Sequence, residues 1–307
     1  MSKTALLFAG QGAQVVGMGR DFAENHPSAR EWFDRANAAL GYDLAGICFS
    51  GPEAELTRTE NAQPAIYLVG WVAFQLLKER APSLSYSAVA GLSLGEFTAL
   101  AAAGALGFEE GLRLVRQRGR FMQEACESTQ GSMAAIIGLD ETVTREVCDQ
   151  AGVVLANLNC PGQLVISGET GRVQAACEAA RARGAKRAIP LTVAGAYHSS
   201  LMASAQPKLA LELAHLSLAK PVVPVISNVT AQPVDSGISE NLVQQICAPV
   251  LWEKSMRHLL DQGFTRFIEL GPGTALSSFM KRIDKTAMML NVSDLPSLSN
   301  TCQALSA

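Results

Sequence analysis

The residues Gly91-Leu92-Ser93-Leu94-Gly95 have the spacing G-x-S-x-G. A short apolar run, Ser87-Ala88-Val89-Ala90, leads into them. A helix-friendly run, Glu96 to Ala103, follows. Strand, sharp turn and helix is the setting in which this spacing makes a nucleophile elbow. The turn strains the serine and exposes its hydroxyl. Gly91 and Gly95 leave room for strand and helix to approach closely. The helix start leaves backbone N–H groups free, that of Leu94 among them, to hold a developing oxyanion. The same residues also read as an ordinary Gly/Ser turn before a helix; the flanking strand and helix signals favour the elbow.

A serine nucleophile needs a base to take its proton, and four histidines compete for the role. His215 and His258 fall on predicted helices, off the apolar stripes Met202, Ala205, Leu209, Leu213 and Trp252, Met256, Leu259, Leu260. Both are expected to face solvent. His26 precedes Pro27 at a helix start. His198 sits in a loop of small residues, Ala194-Gly195-Ala196-Tyr197-His198-Ser199-Ser200, between two elements. It is the candidate base, against the plainer reading of a surface-loop histidine. No spacing identifies a carboxylate as third member.

The second signal is an arginine. Leu112 to Ala125 holds Arg113, Arg116, Arg118 and Arg120. At roughly 100° per residue, Leu114, Val115, Phe121, Met122 and Ala125 share one face, with Arg118 in its middle. The other three arginines point to solvent. A charge on an apolar helix face is costly unless paired. Two partners fit: an internal Asp or Glu, or a substrate carboxylate, which the planar guanidinium fork suits better than lysine would.

These residues must be held by a sizeable fold. The chain has 307 residues, 48% hydrophobic and 17% charged, with 26 Gly, which suits a packed globular enzyme. Net charge is −3 and basic residues form no block, which argues against nucleic acid as a partner. Seven scattered cysteines include no C-x-x-C pair, so no metal site is expected, and reduced core thiols of a cytoplasmic protein are. The apolar run at the start is too short for a signal peptide, and no apolar run is long enough to span a bilayer.

Thr4 to Ala9 reads as a buried strand, followed by the glycine-punctuated loop Gly10-Gln11-Gly12-Ala13-Gln14. That loop lacks the P-loop lysine and the dinucleotide spacing, which disfavours a nucleotide site. Helices are predicted over Pro27 to Leu40, Pro64 to Arg80 with Pro at the first position, and Phe108 to Glu127. Between Ser132 and Leu191 the rhythm is strand, helix, strand, strand, helix, strand, the split ferredoxin-like unit. Then come a helix over Ser200 to Leu216, a strand over Val222 to Ser227, a helix over Leu251 to Leu260, and the strand Phe264 to Leu270 before Gly271-Pro272-Gly273. The expected fold is α/β: a large domain with a mostly parallel sheet covered by helices, residues 1–130 and 195–307, carrying a ferredoxin-like insert, residues 131–194.

Together these pieces resemble the malonyl-CoA:acyl carrier protein transacylase family over essentially the whole chain. Gly10 to Gln14 resembles its G-Q-G-[AS]-Q, and Gly91 to Glu96 its G-H-S-L-G-E. Arg118-Gly119 resembles its arginine–glycine. Asn159 to Gly168 is similar to N-x-P-G-Q-x-V-I-S-G, and Gly195 to Ser199 to G-[AP]-F-H-S. Ser227-Asn228-Val229 and Glu269 to Gly273 match further family blocks. The resemblance implies a hydrolase-like large domain with the site in the cleft beside the insert. It implies Ser93 as nucleophile and His198 as base. It places Arg118 on the malonyl carboxylate, the N–H groups of Gln11 and Leu94 in the oxyanion hole, Gln63 in the pocket lining, and Asn159 and Gln163 on the insert's side.

The implied reaction is malonyl transfer from malonyl-CoA to the phosphopantetheine thiol of an acyl carrier protein, for fatty acid or polyketide synthesis. It runs through an acyl-serine, by a monomer without metal or redox cofactor. Rival readings are an acyl hydrolase and a non-catalytic module that binds carrier protein. Leu92 departs from the family's histidine before the serine. Leu251 stands where many members have a glutamine whose backbone carbonyl orients the base. Tyr197 replaces phenylalanine beside the base, where the resemblance implies that an aromatic ring keeps the acyl pocket small.

Overall fold

A computed structural model of the chain describes residues 3–234 and 236–306. Two sheets organise it. The larger has five parallel strands: β1 (Lys3–Phe8), β2 (Ala88–Gly91), β7 (Val225–Ile226), β8 (Phe264–Leu270) and β9 (Met288–Val292), in the order β7-β2-β1-β8-β9. β1 and β2 lie at its centre and are short apolar runs buried on both faces, as a helix-covered parallel sheet requires. The first loop after β1 and the turn after β2 therefore open at the same end of the sheet.

The smaller sheet is antiparallel: β3 (Gly131–Ile137), β4 (Val154–Cys160), β5 (Gln163–Glu169) and β6 (Arg187–Pro190), ordered β4-β5-β3-β6. The helices Glu141–Ala151 and Thr170–Ala182 pack on it around their own apolar core. This is the expected ferredoxin-like order. Its edge strand β4 meets the large layer: Leu158 N–H donates to Val250 O, and Val250 N–H to Ala156 O. Among the described residues no helix is long and apolar enough to cross a membrane. All seven cysteines are free thiols.

Three expected boundaries moved, each at a proline. The helix expected from Pro64 spans Thr59–Arg80, with Pro64 inside it. Its polar first turns are buried: Thr59 meets the Tyr197 hydroxyl and Gln63 accepts from Arg118, while Asn61 bonds Tyr42 and Glu55 O. The strand over Val222 to Ser227 shrinks to β7, since Pro224 has no N–H for the ladder. The helix over Ser200 to Leu216 splits into a single turn, Ser200–Met202, and the helix Ala205–Ala214. Pro207 is tolerated only in a first turn.

Candidate active site

Ser93 Oγ lies 3.0 Å from His198 Nε2. The elbow that presents the serine runs from β2 into the helix Gly95–Ala102. Ser93 has φ 51°, the strained left-handed region. A Cβ on Gly91 would stand 1.9 Å from the Gly95 carbonyl carbon, and one on Gly95 would stand 2.2 Å from Phe8 O. Contact alone thus demands both glycines. Asn228 holds the turn: its Oδ1 accepts from Ser93 N–H at 2.6 Å, and its Nδ2 donates to Gly91 O at 2.7 Å. With Ser93 N–H so engaged, the N–H groups of Gln11 and Leu94 have no partner among the described residues.

His198 has φ 58°. Its Nδ1 faces two backbone carbonyls, Gln245 O at 2.9 Å and Ala248 O at 3.1 Å. A proton on Nδ1 satisfies them and leaves Nε2 bare to accept from Ser93. Burial, aided by the charge of Arg118, pushes the imidazole down to about 4, although the two carbonyls pull it up. The imidazole is therefore neutral near pH 7, the form in which it can accept a proton. The carbonyls stand where a triad would have its carboxylate. The position expected to supply one, Leu251, does not: its carbonyl accepts from Ser255 N–H at the start of the helix Trp252–Asp261. The carbonyls come instead from Gln245, the last residue of the helix Ile238–Gln245, whose oxygen lacks an intrahelical donor, and from Ala248 just beyond it.

Arg118 is 1% exposed. Its Nη1 donates to Gln63 Oε1 at 2.8 Å, and its Nη2 to Ser93 Oγ at 3.1 Å and Gln245 Oε1 at 3.0 Å. Nε has no partner. Among the described residues Arg118 forms no ion pair with Asp or Glu. Of the two readings of this arginine, the internal salt bridge is not made. Burial lowers the guanidinium to about 10 although the nearby Glu96 charge pulls it up, which leaves it charged at neutral pH with only neutral groups as direct acceptors. A charged guanidinium held only by neutral acceptors has the chemistry to pair with a carboxylate.

A cleft of about 530 Å³ opens over the pair, lined by Gln11, Ser93, Asn157, Asn159, Tyr197 and His198 among others. β4 has irregular register around Asn157 and Asn159, which re-aims side chains as bulges do, and both face the cleft. Tyr197 is buried; its hydroxyl meets Thr59 Oγ1 at 2.6 Å and accepts from Gln11 Nε2 at 3.4 Å.

The chain matches the family model for the acyl transferase domain over residues 5–297. It is 43% identical to the malonyl CoA-acyl carrier protein transacylase of Bacillus subtilis, over 99% of this chain and 98% of that one. This chain belongs to the malonyl CoA-acyl carrier protein transacylase family. The solved transacylase of Coxiella burnetii superposes with a TM-score of 0.96 at 36% identity, covering 100% of this chain and 98% of that one. A malonyl-transacylase solved in complex with its type II PKS acyl-carrier protein gives 0.96 at 38% identity, covering 99% and 100%.

Other expected transacylase residues fall in different layers. Gln63 does not line the cleft; it lies fully buried beneath it, and its Nε2 donates to Gln11 Oε1 at 3.3 Å. Gln163 lies outside the lining, where its Oε1 accepts from Arg282 Nη1 at 2.8 Å. Leu94 is fully buried, so only its backbone is available. Leu92 lines the cleft as an apolar wall. Sequence reasoning gave no role to Gln245, Asn228 or Glu96. The available signal for Gln245 was a polar residue one turn from Leu242, on the buried face of a short helix.

Proposed function

We propose that this protein transfers a malonyl group from malonyl-CoA to the phosphopantetheine thiol of an acyl carrier protein, through a malonyl-serine. One observation carries the reading: a buried, charged arginine without an acid partner donates to the nucleophile itself. A malonyl group on Ser93 has its free carboxylate one methylene beyond the acyl carbon. The cation that selects it must therefore stand beside the serine, as Arg118 does.

In the proposed sequence His198 Nε2 takes the Ser93 proton as Oγ bonds to the thioester carbonyl carbon. The oxyanion goes to the N–H groups of Gln11 and Leu94, each contributing roughly 3 kcal/mol. The C–S bond then breaks, and the imidazolium returns its proton to the CoA sulfur. The carrier thiol next loses its proton to His198 and attacks the ester carbonyl carbon. Ser93 leaves and recovers the proton. These steps use side chains and backbone alone. The carrier partner is supported by the relative solved with its own acyl-carrier protein, and the pathway is fatty acid or polyketide synthesis.

Hydrolysis is the rival, since the same pair serves water. The test is discharge of malonyl-enzyme with and without holo carrier protein. Malonyl-carrier forming much faster than free malonate supports transfer. Free malonate formed at the same rate in both reactions refutes it.

A further inference from the structure

We propose that Glu96 is a positioning residue for malonyl selection, holding Arg118 ready for the substrate carboxylate through the carboxamide of Gln245. The inference rests on the reading above that Arg118 binds that carboxylate.

Glu96 stands in the first turn of the elbow helix, 2% exposed. An acid there has a plainer role, to favour the helix dipole. Its carboxylate serves more than that. Oε2 accepts from Gln245 Nε2 at 2.6 Å and from Asn228 N–H at 3.1 Å. Those partners reach every reacting group. Asn228 Oδ1 holds Ser93 N–H. Gln245 Nε2 also donates to Ser93 O at 3.1 Å, its Oε1 accepts from Arg118, and its backbone oxygen accepts from His198.

A carboxamide has one accepting end and one donating end. Turned over, Gln245 would set its NH2 against Arg118, donor against donor, and leave a buried guanidinium arm without an acceptor. An ionised Glu96 oxygen can only accept, so it fixes the donating end toward itself and the oxygen toward Arg118. Ser93 O favours the same orientation through a longer bond. Burying a carboxyl is costly. Burial pushes Glu96 up to about 7 against the pull of Asn228, Gln245 and Arg118. The orientation argument needs Oε2 as an acceptor: it holds for the carboxylate, and for the acid with its proton on Oε1.

The test compares kcat/KM for malonyl-CoA and acetyl-CoA in wild type, Glu96→Met, Glu96→Gln and Gln245→Met, with Tm recorded for each. Glu96→Met removes the acceptor at similar size. The malonyl-to-acetyl ratio should fall about tenfold or more, the usual effect of losing a hydrogen bond to a charged group. The loss should lie mainly in KM for malonyl-CoA. Glu96→Gln keeps an accepting oxygen and should keep the wild-type ratio. If Glu96→Met does not fold, Gln245→Met carries the test with the same expected fall. A folded Glu96→Met or Gln245→Met with the wild-type ratio overturns the proposal. So does Glu96→Gln losing the ratio as fully as Glu96→Met. A wild type that shows no malonyl preference overturns the reading of Arg118, and this inference with it; a preference that survives in the variants overturns this inference alone.

Discussion

Arg118 Nη2 donates to Ser93 Oγ at 3.1 Å, the same hydroxyl that meets His198 Nε2 at 3.0 Å. One cation thus touches the Ser93 hydroxyl and, after burial, adds to the lowering of the His198 imidazole. A malonyl carboxylate entering beside Ser93 replaces neutral acceptors with a charged one. Removing one partner of a buried charge pair costs about 2–5 kcal/mol. Arg118→Ala should therefore lose malonyl transfer by roughly thirtyfold to several-thousandfold. Acetyl transfer, with no carboxylate to pair, should fall far less. Initial rates with both acyl-CoAs decide it. Equal losses would make Arg118 a structural residue.

The base predicts a pH profile. His198 is pushed down to about 4, first by burial and then by the Arg118 charge. A lowered value keeps the imidazole neutral, and so competent, until the pH falls toward it. The acid limb of kcat/KM for malonyl-CoA should lie well below 6.5, the ordinary histidine value. Arg118→Gln removes one depressing charge and should move the limb upward, measured with acetyl-CoA. In Glu96→Gln, where no carboxyl remains to titrate at that position, the limb should stay. A wild-type limb near 6.5 would contradict the buried, neutral base.

Tyr197 should restrict the acyl α-carbon. Its ring precedes the base, and its hydroxyl is tied to Thr59 at 2.6 Å inside the protein, so the ring is held in place. A methyl is worth roughly 1–3 kcal/mol in a pocket, and discrimination against methylmalonyl-CoA should accordingly be partial. Tyr197→Ser should move the ratio of specificity constants toward methylmalonyl-CoA even as overall activity drops. Equal proportional losses would show that the ring only supports the loop.

The elbow glycines make a stability prediction. A methyl at Gly95 would stand 2.2 Å from Phe8 O and 2.8 Å from Ala9 O, backbone atoms with no flexible side chain to yield. Gly95→Ala should lower stability by about 1–3 kcal/mol or more, read as a shift in denaturation midpoint. Gly171, whose added Cβ would meet nothing within 4 Å, is the control. A Gly95→Ala protein with unchanged midpoint and activity would refute the close-approach argument.

The parts of the site legible in the sequence were those fixed by local contact. G-x-S-x-G is required by the distances across the elbow, and Arg118 stood out as a charge on an apolar face. The strand and helix order of the ferredoxin-like sheet was legible because each of its elements buries one apolar face against that sheet. The rest is set by pairing between distant segments. Gln245 lies 152 residues from the serine whose carbonyl it holds, and Glu96 lies 149 from Gln245. A buried Gln, Asn or Glu carries no periodic signal of its own; only the partner across the fold shows why it is there. Leu251 was chosen for the carbonyl by position in a motif. Oxygens at and just beyond the end of an unrecognised short helix supply it.

The central claim is that Ser93 carries the acyl group between donor and acceptor. Intact-mass measurement after mixing the protein with malonyl-CoA tests it most directly. One malonyl mass should be added to wild type, be absent from Ser93→Ala, and leave on addition of holo carrier protein as malonyl-carrier appears. A malonyl mass that persists on Ser93→Ala, or that holo carrier protein fails to remove from wild type, would contradict the account.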